Sequence, residues 1–167
     1  MAEHVATEAF KRLMGSVCSH VCVVTTMVDA HPYGTTVTAF CSLSLRPPMI
    51  VVALDRGSRL LQAVDVTRQL GVNLLSDDQS DLAAGFATKS DNKFEAVRWQ
   101  VSQDNLPFLE GNAGWLSCRV SDQVSGGDHD LLLCDVVETK PASTARRPLV
   151  YCGGVFGTHS ELDVVTL

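Results

Sequence analysis

The chain has 167 residues, 46% of them hydrophobic and only 19% charged, with a formal net charge of −6 at pH 7. That length suits one domain, residues 1–167, with a full core, and so low a share of charge predicts surface buried in a homodimer. The acidic balance and the lack of any Lys/Arg run exclude nucleic acid and anionic membrane surfaces as partners, and no apolar run reaches the roughly 18 residues of a membrane helix.

Met1 to His4 offers no basic stretch before an apolar core, so no signal peptide is predicted. The six cysteines, at 18, 22, 41, 118, 134 and 152, lie in apolar runs without a C-x-x-C pair. They read as buried free thiols of a cytoplasmic protein.

Residues 7–17 predict a helix, with Thr7 as N-cap and an apolar stripe of Phe10, Leu13, Met14 and Val17. Val17 to Met27 is β-branched and predicts a strand; Asp29 to Gly34 is turn chemistry that folds it back as a hairpin. The partner, Gly34 to Leu45, alternates as one strand. Thr35, Val37, Ala39, Cys41, Leu43 and Leu45 form the face expected to be buried, and Thr36, Thr38, Phe40, Ser42 and Ser44 form a hydroxyl-rich face. Such a face can donate and accept without adding charge, which suits a flat, polar-edged heterocycle; an ordinary solvated sheet face is the competing reading.

Pro47-Pro48 ends that strand, and Met49 to Leu54 reads as a strand buried on both faces. Asp55-Arg56-Gly57-Ser58-Arg59 leads into a helix with Ser58 as N-cap, a candidate anion site unless both arginines are merely solvated. Leu70 to Leu75 is a strand. Ser80 caps a short helix over 81–87, buried through Leu82, Ala83 and Phe86. Residues 88–95 are polar around Lys93 and Phe94, and 99–109 read as irregular. Gly114–Val124 and Leu131–Thr139 form a hairpin through Ser125 to Asp130, and Leu149–Phe156 is the last strand before a short tail. The sum is a mainly β fold: six or seven mostly antiparallel strands in a barrel, with two or three short helices.

Cys18, His20 and Cys22 share ligand chemistry with zinc sites, but i, i+2 neighbours on a strand diverge, so no metal is predicted. No cysteine sits in the electropositive, exposed setting a nucleophile needs. There is no P-loop and no G-x-G-x-x-G, so a nicotinamide nucleotide would not be held in the Rossmann manner. His129, in the Gly127-Asp128-His129-Asp130 turn, is either a solvated loop residue or a group meeting a ligand over the barrel mouth.

Taken together, Phe10 to Met14, Val23 to Thr26, Gly34 to Pro48, Val72 to Leu75, Leu82-Ala83 with Phe86-Ala87, Lys93-Phe94, Gly127 to His129 and Pro148 to Gly153 resemble the short-chain flavin reductases, the small reductase components of two-component flavin monooxygenases, on a split-barrel fold. The resemblance spans roughly 7–157 and departs at Cys134, where that family usually has glycine; a thiol there could crowd the flavin or nicotinamide. It implies that Thr35, Thr36, Val37, Thr38, Ala39, Ser42 and Ser44 line the isoalloxazine of FMN or FAD. It implies that Asp55, Arg56, Ser58 and Arg59 hold the ribityl phosphate, and that Phe86, Lys93 and Phe94 close the pocket. His129 would approach the nicotinamide of NADH or NADPH, with Tyr151 and Gly153 nearby. The implied function is flavin reduction by hydride transfer from nicotinamide C4 to flavin N5, feeding a separate oxygenase. Two alternatives keep the fold: a flavoprotein that holds flavin tightly and acts on another small substrate, and a non-catalytic flavin- or haem-binding module.

Overall fold

The computed structural model describes residues 4–159. Met1 to Glu3 and the C-terminal tail from 160 lie outside the described residues. Helix α1 (Thr7–Gly15) opens the chain. Its predicted N-cap is displaced: Ala6 holds that position, without a side-chain cap. Its apolar stripe is not packed on the chain's own core, since Phe10, Leu13, Met14 and Val17 are all exposed.

The strand expected over 17–27 is two, β1 (Ser19–His20) and β2 (Cys22–Val28), because Val21 turns its backbone to Leu149 and Leu75. A tight turn at Asp29-Ala30, both at positive φ, reverses β2 into β3 (His31–Val37). Pro32 is tolerated there because β3 is an edge strand.

The hydroxyl-rich stretch departs most from expectation. It is not one strand but β3 and β4 (Phe40–Leu45), separated by Thr38-Ala39. A seven-stranded antiparallel sheet runs in the order β3-β2-β6-β9-β10-β5-β4, built with β5 (Pro48–Asp55), β6 (Gln69–Leu74), β9 (Gly114–Gly126) and β10 (His129–Pro141). β3 and β4 are its two edges. Two linking residues leave Val37 and Phe40 at most about 11 Å apart, so the sheet must curl until its two edge strands come close at that end, although they do not pair. The expected buried face is also misassigned in β4: Cys41, Leu43 and Leu45 are exposed, and Phe40 packs on the core instead. A register shift between Ser42 and Ser44 breaks the alternation there. β5 is buried on one face only, alternating from Met49 to Leu54.

Helix α2 (Arg59–Thr67) plugs the barrel. Ser58 caps it as predicted, its Oγ accepting the Leu61 N–H at 3.1 Å. Leu60, Leu61 and Val64 join the main core with Val24, Val52, Leu70 and Leu132; burying each such side chain contributes about 1.5–3 kcal/mol. A second core gathers Val21, Val23, Leu75, Phe86, Leu109 and Leu149 beneath helix α3 (Ser80–Ala87). Gln79, not Ser80, holds the α3 N-cap position. The irregular 99–109 stretch is a small hairpin, β7 (Trp99–Val101) and β8 (Pro107–Leu109). Buried Asn73 ties it down, accepting the Leu109 N–H at 2.8 Å and donating to Val23 O at 3.2 Å. The last predicted strand is likewise a hairpin, β11 (Val150–Cys152) and β12 (Val155–Gly157), turning through Gly153-Gly154 at positive φ.

Two cysteine expectations fail. Cys18 and Cys152 form a disulfide across 134 residues of sequence, and Cys41 is exposed. Cys22, Cys118 and Cys134 are the buried free thiols; burial pushes Cys22 and Cys134 up to about 12, which leaves them inert as nucleophiles.

Candidate functional site

The β5–α2 corner is built locally. Asp55 accepts the Gly57 N–H through its carboxylate at 2.6 Å, and Ser58 N–H returns to Asp55 O at 3.0 Å. This Asx-type turn aims the start of α2, with its unpaired backbone N–H groups, at the edge strand β3. A cleft of about 410 Å³ opens between that corner, residues His31 to Thr35 of β3, and the segment from Ala87 to Phe94.

Two cations hold the segment in place. Arg59 donates to the carbonyls of Lys89 at 2.9 Å and Ser90 at 3.3 Å, and pairs with Asp91. Lys93 Nζ donates to Phe86 O at 2.8 Å and Gly34 O at 3.1 Å, bridging α3 and β3. Those two bonds use two of its three protons and leave one for the cleft. Burial, and then the neighbouring Arg59 charge, lower the Lys93 pKa. Gly34 is needed for closeness: a Cβ there would lie 2.8 Å from Phe86 Cε1 and 3.0 Å from Phe94 Cζ.

Of the residues named from sequence, Thr35, Asp55, Ser58, Arg59, Lys93 and Phe94 line this cleft together. Phe86 lies just beneath it, edge-on to Phe94 with ring centres 5.0 Å apart. The others sit elsewhere. Thr36 spends its hydroxyl on Ala83 O at 2.6 Å, and Thr35 reaches Phe86 O at 3.4 Å, so both tie β3 to α3. Val37 is in the barrel core. Thr38 and Ala39 are exposed in the link, where Ala39 O accepts the Ala53 N–H at 2.9 Å. Ser42 and Ser44 lie on edge strand β4, Ser44 Oγ accepting the Arg46 N–H at 3.2 Å. Arg56 turns away to β10, where Nε donates to Asp130 at 2.7 Å, a carboxylate whose pKa is lowered by Gln123 and by Arg56 itself.

His129 begins β10 in direct register with Asp55, its Nδ1 2.7 Å from Asp128 Oδ1. Tyr151 and Gly153 belong to the β1-β11-β12 sheet, Tyr151 against Phe156 in the second core. Among the described residues no hydrogen bond or ring contact joins them to His129. Cys134, the departure from the family pattern, is buried in the barrel core and is not among the residues lining the β3–α2 cleft. Among the described residues no His/Cys/Asp/Glu group could hold a metal; Cys18 is in the disulfide and Cys22 is buried in the core.

Among the contributors to the cleft that sequence reasoning missed are His31, Tyr33, Thr88, Lys89, Ser90 and Asp91. His31 and Tyr33, edge-on at 5.0 Å, were hidden in what reads as a turn around Pro32. Lys89 and Ser90 carried only the signal of a polar stretch after a helix.

A barrel of this shape is known in solved proteins. The NADH:FAD oxidoreductase SgcE6 of Streptomyces globisporus, in complex with NAD and FAD fragments, superposes with a TM-score of 0.88 at 27% identity, covering 95% of this chain and 98% of that one. The flavin reductase PheA2 superposes at 0.85 with 26% identity, covering 94% and 100%. In fold, therefore, the barrel is that of the flavin reductases.

Residues 14–160 match the family model described as the flavin reductase like domain. The reductase subunit HsaB of a Mycobacterium tuberculosis flavin-dependent monooxygenase is 31% identical over 163 residues, covering 96% of this chain and 87% of that protein. The NADH-dependent flavin reductase of Kitasatospora aureofaciens is 34% identical over 147 residues, covering 86% and 77%. The chain belongs to the flavin reductase-like family and is an NAD(P)H:flavin oxidoreductase.

Proposed function

We propose that the cleft between β3, the β5–α2 corner and the segment from Ala87 to Phe94 is the flavin seat of this reductase. One observation carries the proposal. Thr35, Asp55, Ser58, Arg59, Lys93 and Phe94 come from separate stretches of sequence and line one opening. Their chemistry fits the ligand. A planar ring can lie against Tyr33 and Phe94, and its phosphate can meet the α2 N-terminus, Arg59 and the third Lys93 proton. When bound, the reduced nicotinamide nucleotide would supply a hydride from its C4 and the oxidised flavin would accept it at N5. The protein's own task is alignment and exclusion of water, so no acid–base dyad is required.

His129 stands beside the Asp55 corner, where it can orient the nicotinamide of NADH or NADPH. Thr36 and Val37 support the β3 wall from behind. Thr38, Ala39, Ser42 and Ser44 flank the seam next to it and remain in the proposal as contacts to the polar ring edge. Arg56 acts indirectly, bracing the corner through Asp130. Tyr151 and Gly153 enter through the family resemblance, and their part requires a second protomer to bring them to the cleft. A homodimer also accounts for the exposed apolar residues of α1 and β4. Reduced flavin, FMN or FAD, then leaves for a separate oxygenase, as the name of the HsaB relative implies. Among the described residues no helix is long and apolar enough to cross a membrane.

Steady-state oxidation of NADH and NADPH, with FMN and with FAD, tests the reading. Flavin-dependent turnover with at least one pair is expected. No turnover with any of the four pairs would overturn it. Thr38→Val and Ser42→Val test the seam residues: each should weaken flavin affinity by about 1–2 kcal/mol if it meets the ring.

A further inference from the structure

The Cys18–Cys152 bridge lies where α1 joins the rest of the chain. β1 and β11 pair antiparallel through Ser19 with Tyr151 and His20 with Val150, so the two cysteines stand opposite each other one step further along that ladder. Two weaker contacts flank the bridge: Gly153 N–H donates to Gly15 O at 2.7 Å, and Cys152 Sγ lies 3.5 Å from Ser16 O. No residue of α1 is buried, and a nine-residue helix without a packed face is marginal by itself. The clasp at its end therefore fixes how α1 sits.

The bridge is open to chemistry. Cys18 is exposed and Cys152 half-buried. Cys22, Cys118 and Cys134 are buried, and Cys41 lies on β4 in the other sheet, so none of the remaining thiols competes for the pair. The junction also keeps its hydrogen bonds without the bridge. Val21 N–H donates to Leu149 O at 3.0 Å and Leu149 N–H to Leu75 O at 2.9 Å, continuing the β1–β11 pairs into the second core. A free Cys152 thiol has its acceptor at hand in Ser16 O.

We propose that Cys18 and Cys152 form a reversible thiol–disulfide switch that locks α1 to the β11–β12 hairpin when oxidised and frees it when reduced. The reductant is a dithiol. One of its thiolates attacks the exposed Cys18 sulfur, the S–S bond breaks, and Cys152 leaves as a thiolate that takes up a proton. The second thiol of the reductant then displaces Cys18, which is protonated in turn, and the reductant ends as a disulfide. Hydrogen peroxide closes the bridge. One cysteine is oxidised to a sulfenic acid with release of one water, and the other thiol displaces a second water as the S–S bond forms again. Two electrons move in each direction.

Hydrogen exchange of the full chain, read by mass spectrometry, provides the test, with alkylation reporting the accessible thiols. In native buffer the bridged chain should alkylate at Cys41 alone; after dithiothreitol it should alkylate at Cys18, Cys41 and Cys152, with the core cysteines still protected. Exchange over residues 7–17 and at the Gly153 amide should then quicken several-fold, while the β9–β10 ladder stays as slow as before. Hydrogen peroxide should restore the bridged pattern. Cys18→Ser and Cys152→Ser should each show the fast pattern and respond to neither reagent. The proposal is overturned if the bridge yields only in denaturant, if opening it leaves exchange over 7–17 unchanged, or if peroxide does not close it again. None of these readings needs flavin or turnover, so the switch and the flavin seat stand or fall separately.

Discussion

His129 lies directly across the β5–β10 ladder from Asp55, where β5 leaves the sheet for the turn that starts α2. The imidazole is held to Asp128 and the Asp55 carboxylate to Gly57 N–H, so neither group is free to wander. A loop histidine thereby becomes a fixed feature of the corner that shapes the cleft.

The first prediction concerns that corner. His129→Ala should lower kcat about 10- to 100-fold while flavin affinity stays close to the wild-type value, since misalignment of reacting groups by about 1 Å costs this much. Stopped-flow hydride transfer and a separate flavin titration check it. An unchanged kcat would remove His129 from the reaction.

Lys93 carries a pH prediction. Its pKa lies below the usual 10.5, chiefly through burial. Between the folded and unfolded values the unfolded chain holds the extra proton, so stability rises as pH climbs through that window. The same window strips the charge that meets the flavin phosphate. KM for flavin should therefore rise from neutral pH towards 10.5, while Lys93→Arg, which keeps its charge, stays flat. Parallel profiles for the two proteins would sink the assignment.

Gly34 sets the closeness of β3 to the two phenylalanines. Gly34→Ala places a methyl within 2.8 Å of the buried Phe86 ring and should cost about 1–3 kcal/mol. Denaturant unfolding would show it, with weakened flavin binding as Phe94 is displaced. A neutral substitution would mean that the rings yield freely.

The disulfide makes the fourth prediction. Closing so long a loop between Cys18 and Cys152 should stabilise the chain by about 2–4 kcal/mol. Unfolding with and without a reducing thiol, beside the Cys152→Ser variant, measures the difference. No change on reduction would show that the bridge does not constrain the unfolded chain.

What was legible in the sequence was local. Ser58 announced its cap, Pro47-Pro48 its turn, and the 114–139 hairpin its alternation, because neighbours within a few residues decide each of these. The hydroxyl stretch misled because period-two reading assumes the same neighbours along the whole run. At Thr38-Ala39 the chain passes from one edge of the sheet to the other, and β4 turns Cys41, Leu43 and Leu45 outward. The clasp of Lys93 on Gly34 spans 59 residues and leaves no local pattern. Cys18 and Cys152 could not be matched from spacing among six cysteines. Of the two arginines in the 55–59 anion-site expectation, Arg59 lines the cleft and Arg56 does not, a distinction set by β10 and Asp130.

The joining of β3 to β4 through two residues bears on how the barrel assembles. The outermost strands are the pair hardest to bring together in a curling sheet, yet here they are consecutive in the chain. Their meeting costs almost no loop-closure entropy. The slow search falls instead on β2 finding β6 and β6 finding β9, whose partners lie about 40–52 positions apart, and above all on β5 finding β10, whose partners lie about 74–86 apart. Once those distant ladders register, the seam follows, and the ligand opening beside it is among the last regions to gain its shape.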